Sequence, residues 1–377
     1  MRNPSRMQER LSIAVTCLAL LAACATTPKP AQRVAESPSK AAPAGIATAV
    51  QVAESYISEA NPADELDSLA VWPNENGGAW IIGTAKSTHR LVVFDADSGE
   101  RLHEVGGKGQ APGQFHRPNG VAVFSDVLFV VERDNHRVQM LSLPAFKPLG
   151  SFGESELRSP YGVWLHETAP DELEIYVTDS FMQGAKFDVV PPLAQLNQRV
   201  RRYRVSFDGD KAPVVKSLGS FGETAPDSAL RMVESIGGDP ANDRLLIAEE
   251  DTRVGATLRE YDLAGRYQRR SIPRTLFHAE AEGVALWMCS LDSGYWIASD
   301  QTSPLTTFHV FERAALAYKG SFSGGTTAHT DGIALHTAAT PRFPHGALFA
   351  VHDDKAVAAF DLRKVAQALK LSGDCVH

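Results

Sequence analysis

Acidic residues recur at the starts of apolar segments in the second half of the chain. Glu234 precedes SIGG, Glu282 precedes GVAL and Asp331 precedes GIAL, so each acid opens an equivalent segment of a repeated pattern. Carboxylate oxygens are the ligands that calcium prefers. Acids brought together in a confined space repel one another unless they are protonated or bridged by a cation. We therefore expect these three residues to form a catalytic centre at which a bound divalent ion would attract and polarise a phosphate.

Further charged residues are candidates for the same site. The triplet Glu249-Glu250-Asp251 follows the apolar run LLIA, and consecutive acids after a buried strand are costly without a counter-charge. Outside this triplet, a single acid considered alone is better explained as a solvated turn residue. Lys86 and Arg133, each considered alone, are typical of solvated surface cations. They become candidate phosphate ligands only when they are considered together with the acids.

Short strands must position these residues. Six repeats of apolar runs and turn residues span 69–105, 119–153, 161–205, 234–265, 282–313 and 331–363. The runs are rich in Val, Ile, Phe, Tyr and Leu, which predicts an all-β, six-bladed β-propeller of four-stranded antiparallel blades, with seven blades as the alternative count. We expect residues 48–57 to close the ring by adding a strand to the last blade. Helical periodicity is confined to residues 363–371.

The first 23 residues are predicted to be a signal peptide. A net positive start precedes an apolar stretch at 11–23 that is too short to span a bilayer. Its end, Leu21-Ala22-Ala23-Cys24, resembles the bacterial lipobox, which implies cleavage before Cys24 and attachment of lipid to that cysteine. Because Ala25 follows, we expect an outer-membrane lipoprotein of a Gram-negative cell, with its domain in the periplasm or at the cell surface.

Residues 24–46 are rich in Ala, Pro, Ser and Lys and predict a flexible linker before a domain at 47–372. The net charge of −8 and the pI near 5.9 argue against a nucleic-acid partner. We expect a monomer that touches the membrane only through its lipid. An exported chain permits a disulfide between Cys289 and Cys375, although their spacing alone does not establish one.

Several segments, strung in order along residues 66–362, together resemble the β-propeller phytases, which are calcium-dependent 3-phytase-type phosphatases acting on inositol hexakisphosphate. The matching segments are LDSLAVW (66–72), GTAK…LVVFD (83–95), PYGVWLH (160–166), VES…DRLLIAEED (233–251), AEGV…VFER (281–313) and TDGIAL…HDD (330–354). The resemblance implies calcium at the top of the central channel and a phosphomonoesterase reaction there. The implied metal ligands are Tyr161, Glu234, Glu250, Asp251, Glu280, Glu282 and Gln301, and the implied phosphate ligands are Lys86 and Arg133.

The sequence departs from the phytase pattern in its first half. The family's paired aspartates are reduced to Asp67 followed by Ser68, and PNGVAV (118–123) lacks an acid and an arginine of the phosphate site. These losses leave other functions open: hydrolysis of a different phosphoester or of a lactone, or non-catalytic binding of a protein, glycan or metabolite at the envelope. Residues 106–141 also look like an NHL repeat, which is typical of binding propellers.

Overall fold

The computed structural model describes residues 48–74, 77–209 and 211–376. The predicted signal peptide, the predicted lipidation site Cys24 and the predicted linker lie outside the described residues. Across the described ranges, no helix has the length and apolar character needed to cross a membrane.

Two short N-terminal strands precede six sheets that follow one another along the chain. The N-terminal strands are β1 (Val50–Gln51) and β2 (Tyr56–Ile57). Blade 1 comprises β3 (Leu66–Pro73), β4 (Ala79–Ala85), β5 (Arg90–Asp95) and β6 (Arg101–Gly106). Blade 2 comprises β7 (Pro118–Phe124), β8 (Val127–Glu132), β9 (Arg137–Ser142) and β10 (Lys147–Phe152). Blade 3 comprises β11 (Pro160–Ala169), β12 (Glu172–Asp179), β13 (Val200–Ser206) and β14 (Val214–Phe221).

The second half repeats this plan. Blade 4 comprises β15 (Val233–Asp239), β16 (Arg244–Glu249), β17 (Thr257–Tyr261) and β18 (Tyr267–Ser271). Blade 5 comprises β19 (Ala281–Met288), β20 (Gly294–Asp300), β21 (Thr307–Glu312) and β22 (Tyr318–Ser323). Blade 6 contains β23 (Ile333–His336), β24 (Ala347–His352) and β25 (Ala356–Asp361), and α1 (Leu362–Leu369) follows it. Short 3-10 turns lie at Leu193–Gln198, Pro240–Asn242 and Gly373–Cys375. The prediction of a six-bladed propeller with four-stranded antiparallel blades is confirmed.

The N-terminal strands close the ring. Strand β2 pairs antiparallel with β25, with Tyr56 opposite Ala359, and so supplies the fourth strand of blade 6, as predicted. Strand β1 pairs parallel with β22 and adds a fifth strand to blade 5, which the sequence did not indicate. Between these strands, the Glu54 carboxylate accepts hydrogen bonds from the Thr326 and Thr327 amides, at 3.0 and 2.8 Å. The N-terminal segment therefore connects the last two blades.

The core lies between the blades. The second strand of each blade is buried on both faces, because side chains alternate between the two neighbouring blades. In β16, Leu245 and Ile247 pack in the cluster shared with blade 3, whereas Leu246 and Ala248 pack in the cluster shared with blade 5. Six such apolar clusters separate the six pairs of neighbouring blades. This double burial explains why these strands are continuous apolar runs.

A disulfide joins Cys289, after β19, to Cys375 in the tail after α1. This pairing was left open by the sequence. Helix α1 itself is held by apolar packing, because Leu362, Val365 and Ala366 are buried in the cluster between blades 5 and 6. The C-terminal helix and tail are thus fixed to the ring.

Candidate metal centre and its cavity

The inner strands present one ring of side chains, one from each blade. These six residues, which we call the inner ring, are Asp67, Asn119, Tyr161, Glu234, Glu282 and Asp331. Five of them are the second residue of an inner strand, and each of those strands has a register shift at this point. In β19, for example, Ala281 pairs with Asp300 but Val284 pairs with Ala298, which leaves one extra residue. Such bulges redirect side chains out of the regular pleat.

Small residues after the ring positions allow neighbouring blades to approach closely. The Gly283 amide donates to the Asp331 carbonyl at 2.8 Å, and the Gly332 amide donates to the Asp67 carbonyl at 2.9 Å. A Cβ atom on Gly332 would lie 2.5 Å from that carbonyl oxygen. A larger residue would therefore push apart the backbones that hold Asp331 and Asp67.

A second set of equivalent positions follows the second strands. The Lys86, Arg133, Glu250 and Gln301 amides each donate to the carbonyl of a residue just before the inner strand of the same blade, at 3.0–3.1 Å. Four residues predicted for phosphate or metal binding thus occupy one structural position in four different blades. Their side chains meet different partners, because each blade faces different inner-ring residues.

Three of the predicted metal ligands converge. One carboxylate oxygen from each of Glu234, Glu250 and Glu282 lies within 4.8 Å of the others. Burial, and then the charges of neighbouring acids, raise the pKa of all three carboxyls well above its ordinary value. Glu250 Oε1 is buried without a hydrogen-bond partner. A cluster of hard oxygen donors that includes an unpartnered buried oxygen fits a divalent cation such as calcium. We call these three residues the acid cluster.

Tyr161 connects this cluster to the opposite side of the ring. Its hydroxyl donates to Asp67 Oδ1 at 3.4 Å and also hydrogen-bonds Glu234. Burial, and then the nearby charge of Asp67, raise the pKa of Tyr161 well above its usual value. The phenol therefore stays neutral and able to donate a hydrogen bond.

Lys86 and Asp331 form a separate group. Lys86 Nζ lies 3.2 Å from Asp67 Oδ1 and 3.2 Å from Asp331 Oδ2, and only 10% of its side chain is exposed. Burial opposes the charge on Lys86, but the two carboxylates raise its pKa above the ordinary value. Burial and then Asp67 raise the pKa of Asp331 to about 8, and Gln301 donates to its other oxygen. The structure thus places Lys86 between two acids, where the sequence predicted a phosphate ligand.

The acid triplet divides into three roles. Glu249 is fully buried and accepts hydrogen bonds from the Arg231 and Met232 amides at 2.6 and 3.2 Å, which fixes the loop before β15. Glu250 joins the acid cluster. Asp251, a predicted metal ligand, accepts hydrogen bonds on both oxygens from Arg253 at 2.6 and 3.1 Å. From the sequence we expected a counter-charge near the three acids, but the different partners of each acid were not predicted.

A cavity of about 890 Å³ adjoins the acid cluster. Glu234, Glu250, Glu280 and Tyr161 line it, and burial raises the pKa of Glu280. Its remaining walls come from blades 2 to 4, and their charged and apolar members include Arg133, Arg158, Lys186, Arg253, Phe181, Met182, Phe187 and Met232. The structure thus brings the predicted Arg133 and Glu280 to the cavity that adjoins the acid cluster.

One wall of the cavity is the connection from β12 to β13, residues 180–199. The buried Arg199 guanidinium donates to the carbonyls of Phe181 and Arg231 at 2.8 and 2.6 Å, which fixes the base of this connection. The Arg158 guanidinium stacks over the Phe181 ring at 3.7 Å from its centroid. No periodic pattern marks this connection in the sequence, so its contribution to the site was missed.

No protein-family model matches this sequence, and no curated protein matches it. Among solved structures, the chain is similar to a gluconolactonase from Xanthomonas campestris, with 12% identity and a TM-score of 0.50 over 84% of this chain and 98% of that chain. It is also similar to hydrazine synthase from Kuenenia stuttgartiensis, with 14% identity and a TM-score of 0.49 over 83% of this chain and 81% of that chain. Neither is a phytase, and at such identities the likeness shows only the propeller fold.

Proposed function

We propose that the protein is a calcium-dependent phosphomonoesterase that acts at the mouth of the propeller channel. The observation that carries this proposal is the acid cluster of Glu234, Glu250 and Glu282, which opens onto a cavity bordered by arginine and lysine side chains. The carboxylates offer a site for a hard cation, and the basic side chains offer partners for a phosphate. The sequence resemblance to the β-propeller phytases supports the same reaction.

In this proposal the acid cluster holds calcium, with the Tyr161 hydroxyl and Glu280 beside it. Bound calcium would supply a positive charge that stabilises the developing negative charge on the phosphoryl oxygens. Arg133 and Arg158 line the cavity and, in this proposal, orient the phosphate. Asp331 is held by Lys86 and Gln301 and does not line the cavity, so in this proposal it supports the inner ring and does not contact the attacking water.

Phosphate release from phytate and from simpler phosphomonoesters, measured with excess calcium and again with excess EDTA, tests the proposal. We expect release that requires calcium, and Glu282→Gln should abolish it because the acid cluster loses a ligand. Glu167→Gln is the matched control, since Glu167 is an exposed acid near the far end of an inner strand. Release that persists in EDTA would refute the metal-dependent mechanism.

A second function, non-catalytic binding at the envelope, is favoured by one observation. Lys86 has its charge compensated by Asp67 and Asp331, so it offers less to an incoming phosphate than a free lysine would. If calcium stabilises the protein but no phosphoester or lactone is hydrolysed, the propeller is a metal-binding module. Phosphate release, lactone hydrolysis and thermal unfolding with and without calcium together decide between the two functions.

Attachment to the envelope through Cys24 is part of the proposal. The disulfide between Cys289 and Cys375 supports it, because structural disulfides persist mainly in oxidising compartments such as the periplasm. Metabolic labelling with a radioactive fatty acid should mark the wild-type chain and not Cys24→Ser. Equal labelling of both would show that the lipid, if present, is elsewhere.

A further inference from the structure

The cavity beside the acid cluster has two chemically different walls. Its charged lining comprises four bases, Arg133, Arg158, Lys186 and Arg253, and six acids, Asp134, Asp188, Glu234, Glu250, Asp251 and Glu280. Its apolar lining comprises Phe181, Met182, Phe187 and Met232. A site for a ligand covered in phosphates would need an excess of bases on all sides. This lining has more acids than bases, so one calcium ion would bring it close to neutrality.

The four basic side chains also differ in whether a neighbouring acid already pairs with them. Arg133 Nε pairs with Asp134 at 2.7 Å, and Arg253 Nε pairs with Asp251 at 2.6 Å. Within the described ranges, neither Arg158 nor Lys186 has an ion-pair partner or a side-chain hydrogen bond. Two cations without ion-pair partners beside the acid cluster are enough for a single phosphate group.

Phe187 is the most exposed member of the apolar wall. It is 76% exposed, and its φ of 54° is a conformation that bulky residues rarely adopt. Backbone hydrogen bonds between Gln183 and Val189 hold the surrounding turn at 2.7 and 3.0 Å. A phenyl ring held in this way beside a cavity gains contact area only if a ligand covers it.

We propose that the substrate carries one phosphate and an apolar, preferably aromatic, group that packs against Phe187 and the two methionines. Lys186 is adjacent to Phe187 in the same turn, so one segment offers both a cation for the phosphate and a ring for the apolar group. This inference rests on the proposed function, and it names the substrate class of the same site.

Binding of two non-hydrolysable probes to the calcium-loaded, full-length protein tests the inference by calorimetry. Benzylphosphonate and methylphosphonate share the charged group and differ only in the ring. We expect benzylphosphonate to bind about tenfold more tightly, because the ring removes additional apolar surface from water. Phe187→Ala should remove most of this difference and leave methylphosphonate binding unchanged. Lys186→Gln should weaken both probes alike.

Val189→Ala is the matched control. Val189 lies in the same turn and is 51% exposed, but it does not line the cavity. Equal affinity for the two probes, or an equal effect of Phe187→Ala on both, would overturn the inference. If ring selectivity is found but phenyl phosphate is not hydrolysed, the ligand class stands and the proposed catalysis fails. If neither probe binds, both proposals fail.

Discussion

Replacing Glu282 by glutamine should have opposite effects on stability with and without calcium. One oxygen of each member of the acid cluster lies within 4.8 Å of the others. At that distance, and with an effective dielectric constant of about 20, two unit charges repel by about 3.5 kcal/mol. Protonation relieves part of this repulsion, since the pKa of each carboxyl is raised. We therefore expect Glu282→Gln to stabilise the calcium-free protein by about 1–3 kcal/mol.

Calcium should reverse the order of the two proteins. A ligand present at about one thousand times its Kd stabilises the folded state by about 4.1 kcal/mol. The wild type should gain about this much, whereas Glu282→Gln should gain little because it offers one carboxylate fewer. The wild type should then be the more stable protein in calcium and the less stable one in EDTA.

Denaturant unfolding in EDTA and in excess calcium measures both differences, with Glu167→Gln as the control for loss of a surface charge. The control should follow the wild type in both conditions. If Glu282→Gln were less stable than the wild type in EDTA, repulsion within the acid cluster would not be destabilising the calcium-free protein. If the variant gained as much stability from calcium as the wild type does, Glu282 would not be a calcium ligand.

Three further predictions follow from described contacts. Because burial raises the pKa of Asp331 from its ordinary value of 3.8 to about 8, the calcium-free protein should lose stability as the pH rises from about 3.8 through about 8, and thermal melts in EDTA would show this. Burial alone would raise the pKa of Glu54, but hydrogen bonds from Thr327 lower it to about 2. Glu54→Gln should therefore lower the free energy of unfolding by about 1 kcal/mol at neutral pH, after allowance for solvent screening. That cost should vanish as the pH falls towards 2. Cys375→Ser should lower the free energy of unfolding by about 2–4 kcal/mol, and reduction of the wild type should have the same effect.

Most of the fold could be predicted from the sequence because each blade repeats the same local signals. The apolar runs and turns predicted the six blades, and the strand-like segment before the first repeat predicted that β2 would close the ring. Strand β1 has only two residues and pairs with β22 across the ring, so no local pattern marks it. The pairing of Cys289 with Cys375 could not be established from the sequence either, because it depends on where α1 directs the tail.

The candidate site could be predicted only in part. Equivalent positions in successive repeats indicated that Glu234 and Glu282 would face each other, and the structure brings them together. Single-residue partners were not predictable in the same way. Lys86 is close to two carboxylates that are far from it in sequence, and Asp251 is engaged by Arg253. The connection at 180–199, which lines the cavity, has no counterpart in the other repeats, so comparison between repeats could not reveal its position.

The bulges that carry the inner ring separate the chemistry of this protein from its architecture. Each blade supplies a single ring side chain, in blades 1 to 5 from the second residue of the inner strand, while the apolar clusters between blades maintain the fold independently. A point substitution at one ring position changes the polar side chains at the channel without repacking a blade. Asn119, for instance, becomes a further acid after a single substitution. The ring is therefore a set of six exchangeable positions, through which one scaffold can acquire, alter or lose a metal-dependent activity in small evolutionary steps.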